Sequence, residues 1–174
     1  MANRFYKLAL GGIFAIIVIG GYMAFTGYAN DVYPLDQSVG FLDRIVATSD
    51  PQSIIADINS IKANLPETGN PVWIFPTDST NFARIQADLD TMLISAEKIA
   101  AVPTDSAAYH TGMLDINSRS VLIQENIADA IPYMYVSFSN IIFSSIWIAA
   151  ILGIFAVLNK KKQKMQEYDV SQDV

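Results

Sequence analysis

The sequence predicts an all-α membrane protein, with two transmembrane helices flanking an extracytoplasmic antiparallel bundle of about four helices. Three observations predict it. Residues 8–30 and 130–159 carry no charge at all. Between them, apolar residues recur at three- and four-residue steps, which is the helical period. The chain of 174 residues is 52% hydrophobic but only 16% charged, whereas soluble domains carry about 25% charged residues.

Taken in order, residues 1–7 hold Arg4 and Lys7 and form a short basic N-terminus. Residues 8–27 form the first expected span. Its nineteen most apolar residues, 8–26, would reach ~28 Å as a helix, close to the ~30 Å hydrocarbon core. A cleaved signal peptide is the competing reading, because Gly27 and Ala29 place small residues ahead of a possible cut at Asn30. The apolar run exceeds the usual length of about 7–15 residues in such peptides, which favours a retained anchor.

Residues 28–137 form the expected outer domain. Leu35, Val39, Leu42 and Val46 make a first apolar stripe, and Ile54, Ile58, Ile61 and Leu65 a second. Asp50-Pro51 precedes the second as N-cap and first-turn proline. Phe82, Ile85, Leu89, Met92, Ala96 and Ile99 make the third stripe. Tyr109, Met113, Ile116, Ile123, Ile127, Ala130 and Met134 make the fourth. Turn residues separate them at Asp50-Pro51, from Pro66 to Pro76, and at Pro103-Thr104-Asp105. Pro132 is expected to kink or break the fourth helix, since it cannot donate to the carbonyl of Ala128. Tyr133 and Tyr135, with Tyr22, Tyr28 and Tyr33 at the first span, suit an aromatic belt at the headgroups or, equally, the base of the bundle.

Residues 138–158 form the second expected span, ~31 Å long as a helix. Residues 159–174 are a mixed basic and acidic tail with Lys160, Lys161, Lys162 and Lys164 against Glu167, Asp169 and Asp173. The outer segment holds five Lys/Arg against fourteen Asp/Glu, a net charge of −9. Basic residues thus border the spans on one side only, so both termini are expected in the cytoplasm and residues 28–137 outside the plasma membrane.

The same composition excludes much chemistry. There is no Cys and one His, which removes thiol catalysis and Cys-ligated metals and leaves little for a catalytic triad. His110 and Met113 lie three residues apart and suggest a soft-metal ligand pair, but such a site needs a third or fourth ligand from elsewhere. Asp88 and Asp90 fall on different helix faces, so they do not pair for acid–base work. Asp36, Asp43, Asp50 and Asp57 recur every seven residues, and the break at Pro51 makes solvated surface the expected reading. The acidic domain disfavours nucleic acid as a partner. No catalytic residue, cofactor or metal ligand is therefore assigned.

Interaction surfaces are more legible. In residues 65–79, Pro66, Pro71 and Pro76 stiffen a loop that contains Val72, Trp73, Ile74 and Phe75. Trp73 and Phe75 either plug an open end of the bundle or form an aromatic anchor for a partner. This tip is expected at the end of the bundle far from the membrane, away from lipid. Within the spans, Gly11/Ala15 and Gly20/Ala24 in the first, and Ser145, Ala149 and Gly153 in the second, form small-residue faces. Asn140 adds a polar group that prefers protein to lipid. These faces either pack the two spans together or meet other membrane subunits.

Two resemblances follow. The order span, helical ectodomain, span resembles the input modules of chemoreceptors and sensor kinases, which implies ligand sensing. Only sixteen residues follow the second span here, so such a role implies a separate signalling partner. The acidic, cysteine-free, Ile- and Asp-rich ectodomain between Gly- and Ser-rich spans is also similar in plan to the small accessory subunits of archaeal ammonia monooxygenase. That resemblance implies structural support of a copper-dependent oxidase whose active site lies in other chains. The expectation is a non-catalytic accessory subunit of a membrane complex, with a ligand-sensing ectodomain as the alternative.

Overall fold

The computed structural model describes residues 2–170; Met1 and the last four residues of the expected tail, 171–174, lie outside them. Every regular element among the described residues is helical. The chain divides into two compact units, residues 27–137 and the pair of segments 1–26 and 138–174.

The unit of residues 27–137, which corresponds to the expected outer domain and is called the outer unit for that reason, contains α2 (Tyr33–Ala47), α3 (Pro51–Asn64), α4 (Phe82–Ala100) and α5 (Ala107–Tyr135). Each packs on its sequence neighbours, and α2 also packs on α5, which closes the ring. Three helix starts have side-chain caps that take up orphan backbone N–H groups. The Asp50 carboxylate accepts from the N–H groups of Gln52 and Ser53, Asn81 from Ala83, and Ser106 from Tyr109. Neighbouring helices run in opposite directions. The Asn64 amide, at the end of α3, donates to Gln37, near the start of α2, at 3.3 Å. The Tyr109 hydroxyl, at the start of α5, donates to the Ser49 carbonyl just after α2.

The core is the set of stripes that the helical period marks out. All four apolar residues of the second stripe and all six of the third are buried, and in the fourth all but Met134 are. The first stripe is shifted at two of its four positions: Ser38 and Ile45 are fully buried, whereas Val39 is half-buried and Val46 is 39% exposed. Steps of three and four from Leu42 both reach an apolar residue, and α2 packs on both α3 and α5, which selects the nearer one. Burial of these aliphatic groups stabilises the unit by roughly 1.5–3 kcal/mol per side chain before entropy is set against it.

The heptad-spaced carboxylates are not idle surface. Asp57 is 7% exposed and takes both guanidinium contacts of Arg44 from α2. Asp43 accepts from the Gln124 amide of α5 at 2.8 Å. Only Asp36, Asp43 and Asp50 keep the expected exposure, and Asp50 is the α3 cap.

Two prolines shape the ends of the unit. Ahead of α2, Tyr28–Val32 forms one wide π-turn, in which the Tyr33 N–H reaches the Tyr28 carbonyl. Pro34 cannot donate to the Asn30 carbonyl, and the widened turn accommodates its ring. At the other end Pro132 does not stop α5, which continues to Tyr135. The interruption comes at residues 136–137, before the next helix begins. A helix tolerates one missing donor when packing holds it, and Ile131 and Met134 rest on the core.

The second unit holds α1 (Ala2–Gly27) and α6 (Phe138–Val170), both longer than the expected spans. Each includes a segment long and apolar enough to cross a membrane. Most of their large apolar side chains are exposed, Leu10, Phe14, Phe25, Phe143, Ile146 and Leu152 among them. In water such a surface is unfavourable; in lipid it is the ordinary state.

Candidate interaction site

The expected interface residues fall on two surfaces. On α1 and α6, the structure assigns different roles to glycines that look alike in sequence. Gly20 faces α6: a Cβ placed there would lie 2.7 Å from the Trp147 indole. That indole donates its N–H to the Ile16 carbonyl at 3.1 Å. Gly20 is thus the receptacle for a side chain of its own chain and is not free for another subunit, which corrects the expectation for this residue. Its small size is what allows the approach.

Gly11, Gly21 and Gly153 are the opposite case, since a Cβ at any of them would meet nothing within 4 Å beyond its chain neighbours and its own helix backbone. Ala15, Ala24, Ser145 and Ala149 are exposed as well. The Ser145 hydroxyl donates back to the Ile141 carbonyl at 2.8 Å, satisfying itself within the helix. Asn140 is half-buried. These faces keep their backbones accessible for close approach.

The second surface is the loop between α3 and α4. Gly69 adopts φ +109°, a left-handed conformation suited to glycine, and its carbonyl accepts from the Phe82 N–H at 2.9 Å. Asn70 braces the loop from inside. Its amide donates to the Thr77 carbonyl at 2.7 Å, and its oxygen accepts from the Val72 N–H and the Thr80 hydroxyl at 2.9 and 3.0 Å. The Gln86 amide donates to the carbonyls of Lys62 and Leu65. Val72 is the loop's plug, at 6% exposure.

Trp73, Ile74 and Phe75 project from this braced base at 50%, 58% and 81% exposure, so Trp73 and Phe75 do not plug the bundle. The Trp73 indole donates to the Val136 carbonyl at 3.2 Å. Val136 lies two residues before α6, so the loop sits at the end of the outer unit from which the chain runs on to its second apolar helix. The expectation set this tip at the end of the bundle away from the chain connections to the apolar helices; the bond to Val136 places it at the end where one of them leaves. Helices α2 and α3 are antiparallel, so the chain after α3 is back where α2 began; the distal turns are 48–50 and 101–106.

The same end carries exposed tyrosines. Tyr28 and Tyr33 pack with ring centroids 6.2 Å apart, and the Tyr28 hydroxyl donates to Asp36 at 3.5 Å. Loss of water contact, then the nearby Asp36 and Tyr135, raises the Tyr28 phenol above its ordinary range. Tyr133 and Tyr135 are exposed at the end of α5.

His110 is exposed and edges onto Tyr109, while Met113 is buried in the core, so the two do not converge as ligands. No group of three or more His, Asp or Glu able to hold a metal occurs among the described residues. An open groove at the distal end is lined by Arg44, Thr48, Ser53 and Asp57, with its guanidinium already paired to its carboxylate. Arg84, for its part, lies 3.6 Å from Asp78 of the loop.

Comparison with family models, with curated proteins and with solved structures gave no match. The class these observations define is an all-α chain with two helices capable of crossing a membrane and a separate helical unit between them.

Proposed function

We infer that this chain is a non-catalytic two-span subunit of a larger membrane complex, with both termini cytoplasmic and residues 28–137 outside. The observation that carries this reading is the open small-residue face at Gly11, Gly21 and Gly153 on helices whose surface is apolar. Lipid chains gain little from a groove, whereas a second helix gains close van der Waals contact along it. The basic residues bordering the two apolar helices on one side support the orientation.

Similarity in plan to the small accessory subunits of archaeal ammonia monooxygenase narrows the proposal to support of a copper-dependent membrane oxidase. Its active site would lie in neighbouring chains. Extraction of native membranes in mild detergent, followed by affinity purification of the tagged chain, tests the proposal. Other membrane proteins should co-purify in fixed stoichiometry, and copper should follow those chains. A chain that purifies alone contradicts it.

A further inference from the structure

The outer unit exposes three consecutive large apolar residues, Trp73, Ile74 and Phe75, on a loop that is rigid at its base. An apolar tip whose base is held by three hydrogen bonds of Asn70 is preorganised, so docking it costs little conformational entropy. Its position narrows what it docks on. The Trp73 indole is bonded to the Val136 carbonyl, and two residues later the chain enters α6, whose apolar stretch can cross a membrane. The π-turn that follows α1 packs on α5, so both chain connections to the apolar helices leave the outer unit near one end. Tyr28, Tyr33, Tyr133 and Tyr135 are exposed there too. Trp and Tyr are the side chains that favour the headgroup layer, where an apolar ring and a polar atom are both satisfied.

We propose that the Trp73-Ile74-Phe75 loop inserts into the headgroup layer of the bilayer that the chain's own apolar helices cross, as a third membrane attachment. The insertion is shallow, about 5–10 Å, as for other interfacial apolar elements. Neutral phospholipid suffices, because the loop is flanked by Glu67 and Asp78, whose exposed carboxylates are not drawn to anionic headgroups. A protein partner is the competing occupant. The shared end with the apolar helices and the tyrosines favours lipid.

The chain has no cysteine, so single thiols can be introduced cleanly. The inference rests on the membrane placement proposed above, and the test separates the two. The full-length chain is purified and reconstituted in phosphatidylcholine vesicles with an environment-sensitive fluorophore at Phe75→Cys, Thr104→Cys or Leu152→Cys. Thr104 is exposed in the distal turn, and Leu152 is exposed on α6. The Phe75 label should be quenched several-fold more than the Thr104 label by lipids spin-labelled near the headgroup, and several-fold less by aqueous iodide. Equal quenching of the Phe75 and Thr104 labels, with Leu152 still shielded, overturns the loop proposal alone. Shielding of the Phe75 label from both quenchers also overturns it, since protein then covers the loop. An iodide-accessible Leu152 label overturns the membrane placement and the loop proposal together.

Discussion

The Trp147 indole of α6 lies against Gly20 of α1 and donates its N–H to the Ile16 carbonyl at 3.1 Å. One small residue therefore admits a large ring and satisfies its polar atom in a surface otherwise made of apolar side chains. A buried indole N–H without a partner in hydrocarbon would be costly.

Gly20→Val should therefore weaken the pairing of α1 with α6. The added methyl groups collide with the indole, and overpacking of this kind costs about 1–3 kcal/mol. Gly21→Val, beside it but facing open space, should change stability by less than about 0.5 kcal/mol. Unfolding in mixed micelles of increasing sodium dodecyl sulfate content, followed by tryptophan fluorescence, compares the two.

Gly153→Leu separates assembly from folding. Apart from its chain neighbours and the backbone of its own helix turn, nothing lies within 4 Å of the added Cβ, so the helical content and thermal stability of the purified chain should be unchanged. Its yield in the complex should fall by about tenfold, the equivalent of a lost contact of ~1.4 kcal/mol. Complex yield equal to wild type contradicts the assignment of this face to a partner.

Core and surface isoleucines should differ sharply. Ile58 is fully buried in α3, and Ile58→Ala should destabilise the outer unit by about 2–5 kcal/mol. Ile94 is half-exposed on α4, and Ile94→Ala should fall within about 0.5 kcal/mol of wild type. Urea denaturation of the detergent-solubilised chain, followed by far-UV circular dichroism, gives both values.

Asp50 gives the outer unit an acid-sensitive element. Hydrogen bonds from the Ser53 hydroxyl, then from the N–H groups of Ser53 and Gln52, hold its carboxyl below the ordinary value. A carboxyl with a lowered folded-state pKa contributes stability that is present above its unfolded value, near pH 4, and is lost as pH falls through the folded value. Asp50→Asn keeps a capping oxygen but has no proton to take up. Its thermal midpoint should fall less steeply than wild type between about pH 4 and pH 2. Parallel curves contradict a role for this cap in the acid response.

Much of the fold was legible because the helical period is a local signal. The second and third stripes needed no knowledge of their neighbours, and neither did the cap at Asp50. What was not legible depends on contacts between distant segments. Asp57 reads as solvated until Arg44, a turn and a helix earlier, is folded onto it. Ile45 and Val46 are equivalent in sequence, and only the neighbouring helices choose between them. Nothing local links Gly20 to Trp147, and small-residue spacing alone does not tell an internal contact from an open face. The position of Trp73 beside Val136 was accessible in principle. An antiparallel pair returns the chain to the end where it began, so the loop after two helices lies at the starting end.

The central proposal is that the open faces of α1 and α6 are occupied by other membrane chains, and the mass of the particle containing this chain tests it most directly. Native mass spectrometry after mild extraction from the source membrane should give one dominant species of fixed composition, well above the 19.1 kDa of the chain itself. A dominant lone chain of 19.1 kDa, stable and folded, would contradict it.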